Sequence, residues 1–188
     1  MFRQFLEVLR EQSILLTATM IVPTAVSGAI AAIVTGVVIS KVQPGWVLLV
    51  AMTAFCVGNI LLATMPVQQT FWAQAFVSLI ITPWGMDMSF PSGVIVLSNH
   101  MPAEHQGLAA SLINTVVNYS ISIGLGMAAT IETHVDDGGT QRLQGYRGAW
   151  YLAIGLDGLA IIFAILVIFS WRATAKKKAK TEGENFKA

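Results

Sequence analysis

One acidic side chain stands alone inside an otherwise uncharged apolar stretch. It is Asp87, within Thr82-Pro83-Trp84-Gly85-Met86-Asp87-Met88-Ser89-Phe90-Pro91-Ser92-Gly93. A charge at the centre of a membrane span costs a few kcal/mol, roughly, on insertion scales, so such a residue is kept for a reason. Four residues later comes Pro91, which has no N–H and so deprives the Asp87 carbonyl of its helical donor. One position therefore joins an ionisable side chain to a freed backbone acceptor. Irregular backbone at this depth is tolerated only inside protein or beside a water-filled cavity. A carboxyl in a dry site holds a proton and releases it when water arrives. Two readings of Asp87 follow: a proton or cationic-substrate site, or a structural carboxylate bonded to a neighbouring helix. Trp84, Met86, Met88 and Phe90 around it offer aromatic and adaptable apolar surface.

A second polar set, Ser111, Asn114, Asn118 and Ser122, recurs at helical spacing. Such a stripe must face protein or a wet cavity, which predicts an interior helix with Asn114 and Asn118 either on a substrate path or against another helix. Asp157 and Glu132 are weaker candidates, nearer the ends of their stretches. Three scattered histidines (His100, His105, His134) and one cysteine (Cys56) give no metal-ligand spacing. The sequence holds no phosphate-binding loop, no Ser–His–Asp order and no dinucleotide fingerprint, so neither an enzyme nor a cofactor is expected.

The elements that must carry these residues follow from composition. The 188 residues are 55% apolar and 11% charged, with a mean hydropathy of +0.67. An ordinary soluble domain carries about 25% charged residues. A spanning helix needs roughly 20 apolar residues, and five stretches qualify. They run about 13–40, 46–65, 70–99, 107–133 and 149–171. The fold class predicted is all-α, a polytopic bundle of about five transmembrane helices in the bilayer. Residues 134–148 (HVDDGGTQRLQGYRG) read as the one longer loop. Two small-residue stripes at spacing four, Gly28/Ala32/Gly36 and Ser120/Gly124/Ala128, predict close helix contacts. Pro23 predicts a kink in the first span.

Both ends differ from the middle. Residues 1–12 (MFRQFLEVLREQ) put Phe2, Phe5, Leu6 and Leu9 on one helical face, which suits an interfacial helix or the end of an incomplete spanning one. Residues 172–188 hold six basic and two acidic side chains, a balance of +4, against −3 for the other 171 residues. With no basic face upstream, nucleic-acid binding is not expected, and a juxtamembrane cluster is. The positive-inside rule places this tail in the cytoplasm. Five spans then put the N-terminus on the opposite face. The charges around the first span (Arg3 and Arg10 against Lys41) oppose that orientation. The conflict eases if upstream helices fix the topology, so the chain reads as the C-terminal piece of a larger transporter or a truncated product of one.

Met88 to Gly126, MSFPSGVIVLSNHMPAEHQGLAASLINTVVNYSISIGLG, carries a family resemblance. It resembles the late helices of the fourteen-helix drug:proton antiporter branch of the major facilitator superfamily, and more narrowly the fungal aminotriazole-resistance type of multidrug efflux protein. The resemblance implies that the five spans are the second to sixth helices of the C-terminal half, with residues 1–12 ending the first. It implies that the third span (with Asp87 and Trp84) lines a central cavity, that the fourth flanks it against the other half, and that the fifth lies outside. The family's Gly–Asp–Arg-rich loop motif is degraded here over 36–45, where Lys41 is the only charge.

Together these readings predict proton-coupled efflux of small drug-like or cationic molecules, with Asp87 as the proton site and Trp84, Met86, Asn114 and Asn118 along the substrate path. The expected setting is the plasma or vacuolar membrane. Alternatives are a non-transporting protein that associates with the missing N-terminal half or a full-length relative, and a carrier of siderophores or basic amino acids.

Overall fold

A computed structural model describes residues 5–9, 12–99 and 101–185, and among them finds helices and no strand. Arg3, Arg10 and Lys187 of the charge argument, Phe2 of the N-terminal face and His100 of the histidine set lie outside the described residues. After a π-helical turn at Phe5–Leu9 come α1 (Ile14–Val38), α2 (Pro44–Ala63), α3 (Gln74–Ser98), a 3-10 turn at Ala103–His105, α4 (Gln106–Asp136) and α5 (Arg142–Asn185). All five helices are long and apolar enough to cross a membrane. Ser13 caps α1, its side chain accepting from the Leu16 N–H at 3.3 Å. Pro44 opens α2 at the position where its missing N–H costs nothing. Large apolar side chains point outward, among them Leu15 (79% exposed) and Ile33 (71%) on α1 and Phe163 (67%) on α5. That pattern suits lipid as the surrounding solvent and not water.

The long loop expected over 134–148 is mostly helix. α4 runs on to Asp136 and α5 starts at Arg142. The turn between them uses Asp137 in the left-handed region (φ 48°), followed by Gly138 (φ 70°) and Gly139 (φ 98°). Glycine tolerates those angles and reverses the chain within a few residues. The charged residues on either side extend the helices past the hydrocarbon edge instead of breaking them.

The helices pack in the spatial order α1, α3, α2, α5, α4, and α4 also touches α3 weakly. The seam between α2 and α3 is the tightest. A Cβ on Gly58 would sit 2.6 Å from Thr82 Oγ1, and one on Gly85 would sit 2.7 Å from the Phe55 ring. Ser78 Oγ donates to the Gly58 carbonyl at 3.0 Å. Close backbones and a buried hydroxyl bond are how helices associate where water provides no drive. At one end of the bundle, Phe5 and Leu6 are fully buried with Met65, Phe71, Tyr146 and Trp150. The Phe5 ring meets Tyr146 and Trp150 edge-on at 6.1 and 5.5 Å, which ties the N-terminal turn to α5.

The stripes land differently from their reading in the sequence. On α1 the buried line is Thr17, Ser27, Ala31 and Thr35, one residue ahead of Gly28/Ala32/Gly36. Gly28 sits at its edge against α3, whereas Ala32 is exposed and Gly36 has open space beside it. On α4, expected to be interior, Ala109 is the one buried residue, Ser120 is exposed, Ala128 is half-buried, and nothing lies within 4 Å of a Cβ on Gly124. The reason is position: α4 sits at the end of the row, with α5 as its main neighbour and only a weak contact with α3, so most of its surface is uncovered among the described residues.

Candidate functional site

The third spanning helix presents three faces, set by the 100° step of an α-helix. Ser78, Thr82, Gly85 and Ser92 face α2 or lie buried along that seam. Pro83 and Asp87 face α1. Met86 and Phe90, 64% and 43% exposed, point to the open side. Pro83 and Pro91 both lie within the helix, and it stays continuous through them. The freed carbonyls expected from the sequence are therefore carried without a break. Ser92 Oγ donates to the Met88 carbonyl at 2.6 Å, beside Pro91.

Asp87 is half-buried at the centre of α3, where α1 crosses. Its Oδ2 lies 3.3 Å from the point where a Cβ on Gly28 would stand, with Pro83 Cβ 3.7 Å from the same point. Two sequence candidates of separate spans, Asp87 and Gly28, thus meet. The glycine gives the carboxylate room and offers it no side-chain donor. No side-chain hydrogen bond or ion pair joins Asp87 to another described residue. Just beyond, Ser27 Oγ donates to the Ile80 carbonyl at 2.7 Å and pins α1 to α3. Trp84 packs against the buried group of Val47, Ala51 and Met88, with Val38 of α1.

Met86 belongs to a different space. An apolar cavity of about 510 Å³ opens between α2, α3 and α4. Met52 and Phe55 wall it from α2, Met86 and Phe90 from α3, and Ile113 and Val117 from α4. Asp87 and Trp84 are not in its lining, because they sit on the faces of α3 turned to α1 and α2. Asn114 and Asn118 are not in it either, since the wall uses the neighbouring stripe of α4. Both amides are exposed and, among the described residues, bond within their own helix: Asn118 Nδ2 donates to the Asn114 carbonyl at 2.8 Å and to Asn114 Oδ1 at 3.3 Å. Ser122 Oγ donates to the Asn118 carbonyl at 3.0 Å. The polar side of α4 is exposed, and among the described residues no helix covers it.

The membrane carboxylate that does have a partner is Asp157. Asn59 Nδ2 of α2 donates to Asp157 Oδ2 of α5 at 2.7 Å, in a half-buried contact. Asn59 is the one amide in PGWVLLVAMTAFCVGNILLA, and that isolation was the available signal. Gly58 and Gly85 likewise escaped the sequence reading, which followed glycines at spacing four within a helix and not glycines that each receive a side chain of the facing helix. Among the described residues no group of three His, Cys, Asp or Glu side chains converges to hold a metal ion.

Comparison with known proteins places this geometry. Residues 8–188 match the Major Facilitator Superfamily. A low affinity ammonium transporter of Saccharomyces cerevisiae is 56% identical over 184 residues, 97% of this chain and 35% of the relative. An efflux pump of Aspergillus terreus (terJ) is 44% identical over 178 residues, 94% of this chain and 34% of its own length. The aminotriazole resistance protein of S. cerevisiae is 44% identical over 156 residues, 82% of this chain and 29% of the relative. The chain thus spans about a third of the length of the curated relatives it matches. No solved structure matches it. Five membrane-spanning helices, a helix-only bundle and a family match over nearly every residue have one meaning: the chain is an integral membrane protein of the Major Facilitator Superfamily, a family of transporters and not of enzymes.

Proposed function

We propose that these helices serve a proton-coupled exporter of small amphipathic or cationic molecules, with Asp87 as the proton site. The observation that carries the reading is Asp87 itself: central in α3, set against Gly28, and without a side-chain hydrogen bond or ion pair among the described residues. The cavity beside Met86 supplies adaptable apolar surface for cargo, one face away from the carboxyl. Trp84 braces α3 against Val47 and Ala51, and Asn114 and Asn118, outside the cavity wall, present a polar stripe of α4 to the rest of the carrier. Relatives named as an efflux pump and as a multidrug transporter support export.

Alternating access needs two halves rocking about a midplane site, so transport is assigned to a full-length carrier and not to these 188 residues alone. The uncovered polar side of α4 supports a partner there, either the N-terminal half or a full-length relative. The basic end of α5 supports a cytoplasmic tail in the plasma or vacuolar membrane. The 56% identical relative, named for ammonium, favours a second cargo reading: a small inorganic cation. The test is uphill transport by sealed vesicles holding the full-length carrier. Asp87→Asn should reduce proton-driven export of a cationic dye to background while leaving the amount of folded carrier unchanged. Export at the normal rate removes Asp87 from the proton path. Ammonium that fails to compete with the dye removes the second cargo.

A further inference from the structure

The turn between α4 and α5 brings four chemistry-bearing side chains together. Glu132 and Asp136 stand one helical turn apart on α4, and Arg142 and Tyr146 one turn apart on α5. Two glycines of α5 let the helices close. A Cβ on Gly145 would stand 2.8 Å from the Glu132 carbonyl oxygen and 3.3 Å from Asp136 Cβ, and one on Gly148 would stand 3.0 Å from Ile131 Cγ2. The acid pair and the Arg–Tyr pair meet around a cavity of about 230 Å³. Among the described residues its lining is Glu132, Asp136, Arg142 and Tyr146. One water takes a share of roughly 30 Å³, so the space admits a small organic molecule.

Three features of this cavity point to a ligand. Tyr146 is only 6% exposed, its ring held by Phe5 and Trp150. Its hydroxyl nevertheless has no hydrogen-bond partner among the described residues. A buried tyrosine hydroxyl usually finds one. This one lies at the cavity wall, in the field of Glu132, Arg142 and Asp136. Arg142, in turn, forms no ion pair with either carboxylate among the described residues, although all three line one cavity. Opposite charges that share a small space without touching leave it with two poles. Lastly, Asp136 Oδ1 is sealed from solvent and accepts no hydrogen bond among the described residues. A carboxylate partly stripped of water attracts a cation more strongly than one in solvent, and Oδ2 is the oxygen left to meet it.

We infer that the cavity at the α4–α5 turn binds a small zwitterion, with an ammonium and a carboxylate a few bonds apart as in a free amino acid. The ammonium donates to Glu132 and Asp136. The carboxylate accepts from the Arg142 guanidinium and from the Tyr146 hydroxyl. A lone cation would leave Arg142 unpaired, and a lone anion would meet two like charges, so a ligand with both poles is the one that suits all four groups. The site is separate from the apolar cavity beside Met86, whose wall holds no charged side chain among the described residues. It needs neither the cargo reading nor proton coupling at Asp87.

Equilibrium dialysis of the purified full-length carrier with labelled L-alanine, ethylamine or propionate tests it. L-alanine should be held about ten-fold more tightly than either single-charge analogue, since each analogue forfeits one charge-assisted contact. Arg142→Gln should erase the preference for alanine over ethylamine, and Glu132→Gln should reduce the preference over propionate. Tyr146→Phe keeps the ring packing and should cost alanine about three-fold. The three-ligand comparison on the parent needs no substitution, so it decides the matter where a variant fails to fold. Ethylamine held as tightly as alanine would make this a plain cation site and overturn the zwitterion reading. Alanine that does not bind the parent, or binds equally to the parent, Arg142→Gln and Glu132→Gln, overturns the site.

Discussion

Asp87 and Asp157 each place a carboxyl within a spanning helix, and their neighbours treat them in opposite ways. Across from Asp157 stands Asn59, whose amide donates at 2.7 Å and locks α2 to α5. Across from Asp87 stands Gly28, which gives space and no donor. An amide satisfies a carboxylate and fixes it in one arrangement, at a modest gain because both partners leave other company to meet. A glycine supplies no such donor, so no side-chain bond from Gly28 fixes Asp87 to α1. The lesson is that a charge in a membrane helix is read from the residue facing it, more than from the charge itself.

This contrast can be broken from either side. The largest effect is expected from Gly28→Leu. Its Cβ would press on Asp87 Oδ2 and Pro83, and overpacking of a helix seam costs about 1–3 kcal/mol. Unfolding of the chain in mild detergent should show it as a lowered midpoint. A smaller loss is expected from Asn59→Leu, which strips Asp157 of its donor. Side-chain hydrogen bonds between membrane helices average about 0.6 and reach about 1.7 kcal/mol. The double variant Asn59→Leu/Asp157→Leu should recover that loss, since no unpaired group remains. The smallest effect is expected from Asp87→Asn, within about 0.5 kcal/mol, because no side-chain partner is lost. A large destabilisation by Asp87→Asn would make Asp87 a structural residue like Asp157 and erase the contrast.

The five spans were legible because bilayer thickness fixes helix length, and uncharged runs of that length are hard to mistake. Asp87 was legible for the same reason: a lone acid stands out against apolar residues. What escaped depended on which residues face each other across helices. Asn59 and Asp157 are 98 positions apart, and no periodicity links them. The buried line of α1 falls on Ser27, Ala31 and Thr35 because small hydroxyl residues pack as closely as glycine and also bond; Ser27 reaches the Ile80 carbonyl. The charges of the 134–148 segment resemble a loop, although the helices break only over 137–141, around the Asp137-Gly138-Gly139 turn. The polar stripe of α4 was recognised, but its place at the end of the row was set by packing order, which the stripe does not encode.

The most direct measurement is proton movement at the two carboxyls. The full-length carrier, its Asp87→Asn variant and its Asp157→Asn variant would be compared in weakly buffered detergent, following pH when a cationic substrate is added. The account predicts proton release by the parent and by Asp157→Asn, and none by Asp87→Asn. Release that survives Asp87→Asn and disappears in Asp157→Asn would contradict it and move the coupling site to the contact between α2 and α5.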